Sequence, residues 1–197
     1  RGTILGLVPK TNLPNYAEYY EARHFTPADQ DSHMVKIDGV EVPFGTKLPF
    51  SCPQMTGMKV AVEICEDLWV PNPPSVAHAL AGANVIINLS AGDEITGKDT
   101  YRRELVKGQS ARLICGYIYA TAGEGESSTD LVFGGHNLIC ENGSILEEAK
   151  RFINQTIYGD LDIRRLVTER RKMTTYPPAD TAGYQEIIFT LEKEETR

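Results

Sequence analysis

The chain has 197 residues, of which 41% are hydrophobic and 24% charged, with a formal net charge of −7. This is enough apolar material for one sizeable core, and the acidic balance disfavours nonspecific binding to nucleic acid or to anionic membrane. No apolar run approaches the roughly 20 residues that span a bilayer, and RGTILGLVPKTN has no long apolar core of the signal-peptide kind, so the sequence reads as cytoplasmic.

Residues 2–10 (GTILGLVPK) are apolar enough for a buried strand, and 15–25 (NYAEYYEARHF) suit a short helical turn. Residues 34–45 predict a hairpin, because Asp38-Gly39 supplies the positive φ angles of a tight turn. KVAVEIC, residues 59–65, alternates so that Val60, Val62 and Ile64 face one way while Lys59, Ala61, Glu63 and Cys65 face the other. It is a strand that ends on a cysteine. A Pro-rich loop follows, then a helix from Ser75 to Ala81 with Ser75 as N-cap. VIINLSA, residues 85–91, predicts a strand buried on both faces.

Residues 99–113 carry helical spacing of Leu105, Val106 and Leu113 despite Gly108. YIYATAG (117–123) and LVFGGHNLIC (131–140) read as strands, Glu141-Asn142-Gly143 as a turn, and TIYGDLDI (156–163) as a strand leading into the charged helix LVTERRKM. The Pro-rich and finally charged tail (TTYPPADTAGYQ, then LEKEETR) suits a linker or a wrapped arm. Strands alternating with helices imply an α/β layered core, and the hairpins imply a mixed sheet.

Cys52, Cys65, Cys115 and Cys140 form no Cys-x-x-Cys pair and have no histidine at finger-type spacing, so reduced thiols and no metal site are expected. A cysteine at the end of a strand and the start of a sharp turn is held rigidly, with its sulfur above the sheet edge. A free thiol with a pKa of about 8.5 is only a few per cent ionised at neutral pH, so a nucleophile there needs a base or a positive charge nearby. Glu63, Glu66 and Asp67 are the near candidates in sequence. The plainer reading of Cys65 is a small buried hydrophobe.

The string VAVEICEDLWVPNPP, with VPKTNLPNYAEYYEARHF before it and NLSAG after it, resembles the carbon–nitrogen hydrolase (nitrilase) superfamily. PKTNLPNYAEYYEARHF, EICEDLW, NLSAGDEITGK and ATAGEGESSTDLVFGGHN, in that order, look more narrowly like the glutaminase domain of glutamine-dependent NAD synthetases. The resemblance implies an α-β-β-α sandwich with mixed sheets, incomplete at the N-terminus, over residues 1–176. It makes 177–197 an arm or linker toward a synthetase domain that is not in this sequence.

The resemblance further implies Cys65 as nucleophile, attacking the side-chain amide of glutamine, and Lys10 as the ammonium that donates to the oxyanion, beside the backbone N–H after Cys65. Glu18 matches a glutamate that orients the lysine and relays protons, though a helix-surface carboxylate is as good a reading from the residues alone. Tyr16 and Trp69 match aromatic walls of the glutamine site, where the plainer reading is core packing, and Lys98 matches a basic residue for the α-carboxylate. The family's general-base glutamate lies in a Pro-Glu-Leu-type segment upstream of the lysine, so the chain is expected to lack its first strands. Gly92 stands where a serine is expected. ATP, Mg and deamido-NAD would bind the synthetase domain, since no SGGxDS-type loop occurs here; a homo-oligomer is implied, with GEGESSTDLVF and the C-terminal arm as contact surfaces. Two other readings stay open: an amidase acting on another amide or nitrile, and a noncatalytic module kept for assembly.

Overall fold

In the computed structural model, residues 2–29, 31–55, 57–126 and 129–191 are described. Its architecture is a seven-stranded mixed sheet, with helices packed against it, and a separate two-stranded hairpin.

 The hairpin is formed by β1 (His33–Ile37) and β2 (Val40–Phe44), with Asp38 at φ 49° and Gly39 at φ 84° making the turn. This is the Asp-Gly hairpin expected from sequence, and most of it faces solvent, with Val42 its buried residue.

The large sheet is built from β3 (Phe50–Ser51), β4 (Lys59–Ile64), β5 (Val85–Ser90), β6 (Gly116–Thr121), β7 (Leu138–Glu141), β8 (Ser144–Glu148) and β9 (Ile187–Ile188). Their order is β8-β7-β6-β5-β4-β3-β9. The central three strands are parallel, in register Val62–Ile87–Ile118, and antiparallel strands flank them on both sides. Helices α1 (Pro74–Leu80) and α2 (Lys98–Leu113) make the two crossovers of the parallel part. This is the α/β class with the mixed sheet that the alternation of elements implies.

Side-chain alternation explains where the core sits. Ala61, Ile86, Tyr117, Tyr119, Leu138 and Cys140 point toward α1 and α2 and are buried with Leu68, Ala79, Val106 and Leu113. The opposite face is buried at its lower end, at Val60 and Val85, half-buried at Val62, Ile87 and Ile118, and open at Leu89, which is 52% exposed. The expectation that β5 is buried on both faces therefore holds at its start, at Val85 and Ile86, and is corrected toward its end, where Leu89 is exposed.

Four local expectations change. Residues 2–10 form no strand; Leu7 makes a single parallel bridge to Phe44, and Ile4 and Leu5 are exposed. Helix α1 starts at Pro74, with Pro73 before it, because proline needs no N–H partner in a first turn. Ser75 is thus inside the helix, and its N–H donates to Glu63 Oε2 at 2.8 Å. The expected strand at 131–140 is shorter, confined to β7, although Phe133 makes an isolated bridge to Asp93. Residues 156–163 run as irregular chain into α3 (Ile163–Lys172), whose N-terminus is capped by the Asp162 carboxylate accepting from the Arg165 N–H.

Arg170 on α3 fastens the lower end of the sheet. Its guanidinium donates to the carbonyls of Ala83, Leu113 and Ile114, the residues that lead into β5 and β6. Beyond α3, Tyr184 packs edge-on against His78 of α1, and β9 adds in parallel to β3. The charge run at residues 192–197 lies outside the described residues, as do residues 127–128 of the GEGESSTDLVF segment. No helix among the described residues is long and apolar enough to cross a membrane.

Candidate active site

The parallel strands β4, β5 and β6 all end at one edge of the sheet, and Cys65 stands there as the first residue of a 3-10 turn, Cys65–Leu68. Its φ of 50° places it in the left-handed region, which costs a non-glycine residue about 1–3 kcal/mol and persists only where neighbours enforce it. The neighbour is Asn88 on β5. Its Oδ1 accepts from the Cys65 N–H at 3.2 Å and its Nδ2 donates to the Cys65 carbonyl at 3.4 Å. Two such bonds contribute on the order of 1 kcal/mol each, comparable with the backbone cost.

Asp67 completes the turn from the other side. This buried carboxylate accepts from the N–H of Ile64 at 3.0 Å, from the N–H of Asn12 at 2.8 Å and from the Asn12 side-chain amide at 2.8 Å. It therefore ties the loop that follows Lys10 to the cysteine turn. Among the acidic residues considered near Cys65, Asp67 is thus occupied in holding backbone. Glu63 is occupied as well: it is 1% exposed, accepts from the Tyr117 hydroxyl and from the Ser75 N–H, and burial raises its pKa.

Lys10 is mostly buried and donates to Glu21 Oε2 at 2.5 Å. The carboxylate that pairs with Lys10 is Glu21 rather than Glu18, because the 3-10 turn Glu21–Arg23 brings Glu21 back over the Lys10 loop. Glu18 instead lines a cavity of about 490 Å³ beside the cysteine turn, together with Tyr16, Trp69, Lys98 and Glu66. Tyr16 is 56% exposed and donates to Glu66 Oε1 at 2.8 Å. Burial raises its pKa first, and the adjoining Glu66 carboxylate adds to the effect, to about 12.

Trp69 stacks at a tilt on Tyr101, with ring centres 5.3 Å apart, and the Lys98 ammonium lies 5.6 Å from the Trp69 ring centre. Lys98 also donates to Asp93 Oδ1 and to the Tyr19 hydroxyl. Burial disfavours the Asp93 carboxylate, but the Lys98 and Tyr19 donors outweigh it and hold its pKa below the usual value. The Tyr19 hydroxyl in turn donates to Asp93 at 2.5 Å.

Sequence reasoning missed Glu21, Tyr19, Asn88, Ser90 and Asp93. Asn88 and Ser90 had one usable signal: in a strand they share a face at period two, and in the observed register Asn88 is opposite Glu63, placing both on the Cys65 side. No group of three or more His, Cys, Asp or Glu residues among those described could hold a metal ion.

A strained cysteine at the ends of parallel strands, with a charged and aromatic cavity beside it, defines the class, and the carbon–nitrogen hydrolase family model matches residues 1–171. The chain belongs to that family, whose members are hydrolases. Within it, the chain is 45% identical over 201 aligned residues to the glutamine-dependent NAD(+) synthetase of Mycobacterium tuberculosis, matching 98% of this chain and 30% of that protein. The human glutamine-dependent NAD(+) synthetase is 29% identical, over 76% of this chain and 22% of its own length. The crystal structure of a glutamine-dependent NAD(+) synthetase from Cytophaga hutchinsonii superposes with a TM-score of 0.63 at 28% identity, covering 74% of this chain and 23% of the other. The chain thus spans less than a third of the length of these relatives and corresponds to their glutaminase region.

Proposed function

We propose that this chain hydrolyses the side-chain amide of glutamine and supplies the ammonia to a synthetase domain that amidates deamido-NAD to NAD. The observation that carries the reading is the strained Cys65, fixed by Asn88 and followed by Glu66, which lines a cavity together with Lys98 and Trp69. In the proposed reaction the Cys65 sulfur forms a bond to the amide carbon, the C–N bond breaks, and the thiol proton leaves with the nitrogen as ammonia. Water then cleaves the thioester, giving glutamate and regenerating the thiol.

Lys10 donates to the oxyanion alongside the backbone N–H that follows Cys65, each such donor being worth about 3 kcal/mol. Glu18 relays protons at the edge of the cavity. Tyr16 and Trp69 flank the substrate chain. An ammonium has three protons; Lys98 directs two of them to Asp93 and Tyr19 and offers the third to the α-carboxylate. The general base, in this reading, is a glutamate of the family's upstream segment.

Residues 1–176 form the glutaminase unit, and 177–197 the arm toward the synthetase domain, which binds ATP, Mg and deamido-NAD. The assembly is a cytoplasmic homo-oligomer. Its test is ammonia release from glutamine compared with simple aliphatic amides, together with mass-spectrometric mapping of a glutamine-derived electrophile. Glutamine preference and labelling of Cys65, both lost in Cys65→Ala, are expected. Preference for aliphatic amides would replace this reading with that of a general amidase, and absence of labelling even with the upstream segment present would leave a noncatalytic module.

A further inference from the structure

We propose that Ser90 and Tyr119 form a hydroxyl relay that donates a hydrogen bond to the Cys65 sulfur and stabilises its thiolate. The proposal rests on the reading of Cys65 as the nucleophile. It concerns how this thiol becomes reactive, a task that neither Glu63 nor Asp67 is free to perform.

Ser90 Oγ lies 3.4 Å from Cys65 Sγ, within donor distance for a sulfur acceptor, and 2.6 Å from the Tyr119 hydroxyl. The two strands bring these groups together, because Asn88 is opposite Tyr119 in the β5–β6 register and Ser90 follows on the same face. A serine has one hydroxyl proton, so it serves the sulfur only if Tyr119 donates to Ser90 rather than accepting from it. The state of the phenol allows that direction. Tyr119 is fully buried, and burial, which outweighs the hydrogen bonds made to it, pushes its pKa up to about 12, so the phenol keeps its proton.

Arg102 is immobilised. It is fully buried, and it donates to Glu94 Oε2 at 3.0 Å, to His136 Nδ1 at 3.0 Å and to the Asp93 carbonyl at 3.1 Å. His136 then donates from Nε2 to Glu148 Oε1 at 2.8 Å. This helix side chain thus steadies the Asp93 end of the cavity. The other titratable groups around the thiol are Glu66 and Asp67 of its own turn, and Tyr16 and Tyr19 from the N-terminal loop.

The test is the pH dependence of Cys65 carboxamidomethylation by iodoacetamide, followed by peptide mapping on the intact chain. This reaction reports thiolate directly and needs no glutamine turnover. Ser90→Ala is expected to slow modification at pH 7 about tenfold, with the midpoint of the profile displaced upward by about one unit. Ser90→Thr should restore most of the rate. Tyr119→Phe, which removes only the hydroxyl, is expected to give a displacement in the same direction and a loss of about threefold. Profiles of Ser90→Ala and Tyr119→Phe that coincide in midpoint with that of the unaltered chain would overturn the relay, as would a change in amplitude alone, the mark of a loosened fold. Displaced profiles without ammonia release from glutamine would uphold the relay and remove the glutaminase reading. Ammonia release with coincident profiles would do the reverse.

Discussion

Two asparagines on the same segment, Asn84 and Asn88, clamp opposite ends of β4 in nearly the same way. Asn84 accepts from the Lys59 N–H at 3.1 Å and donates to the Gly57 carbonyl at 2.6 Å. Asn88 accepts from the Cys65 N–H and donates to the Cys65 carbonyl. At the lower end the clamp holds the first residue of β4 and Gly57, whose φ of 85° a glycine adopts at little cost, surrounded by further fasteners: Arg170, and the His78–Tyr184 contact. At the upper end it holds a residue in a left-handed conformation beside an open cavity. One chemical device therefore secures stability at one edge and a reactive geometry at the other, and the difference lies in what surrounds it.

The comparison can be broken hardest from below, with acid. His78 is buried, and burial, assisted by the charge of Lys47, lowers its pKa to about 4. A histidine whose folded pKa is depressed stabilises the fold above its unfolded value of about 6.5, and that contribution is lost as pH falls from there toward 4. Urea titrations at pH 7 and pH 4 should differ by about 3 kcal/mol more in the unaltered chain than in His78→Phe. Equal differences would show that the lower end is not proton-linked through this ring.

Asn88→Ala should come next. It leaves Cys65 without the partner that enforces its backbone, so the expected result is a loss of about 2 kcal/mol in stability and a tenfold or greater fall in the rate of Cys65 labelling. Retained labelling would mean that Asp67 alone sets the turn. Asn84→Ala should have the smallest effect, about 1–2 kcal/mol in a urea titration with the labelling rate unchanged. A labelling defect there would show that the two ends of β4 are coupled.

The same contrast explains how much was legible in the sequence. The Asp38-Gly39 hairpin and the strand ending on Cys65 depend on local chemistry, the turn preference of one dipeptide and the alternation of one hexapeptide, and both appear as read. The family could be read because its residue blocks are contiguous. What escaped depends on partners far along the chain. Ser75 looks like an N-cap, yet Pro74 begins the helix and Glu63 receives the Ser75 N–H. Glu18 and Glu21 are equally plausible partners for Lys10 until a 3-10 turn selects Glu21. Ser90 and Tyr119 meet only because β5 and β6 pair in one register, a property no single segment encodes. The 156–163 segment has strand-like residues, but Tyr158 is 80% exposed and the chain passes over Gly116 and Ile139 instead of pairing.

Arg170 also bears on how this polypeptide can be shortened. Its planar guanidinium reaches three carbonyls at once, and Tyr176 donates toward two carbonyls in the same region, those of Ala79 and Leu113. A polypeptide cut before α3 would leave these acceptors without their donors, and lysine, as a point charge, could not replace the fork. The minimal folding unit therefore extends at least to Tyr176, so a design that trims the tail should begin its cuts beyond Tyr176 and treat the His78–Tyr184 contact as the next element to be spared.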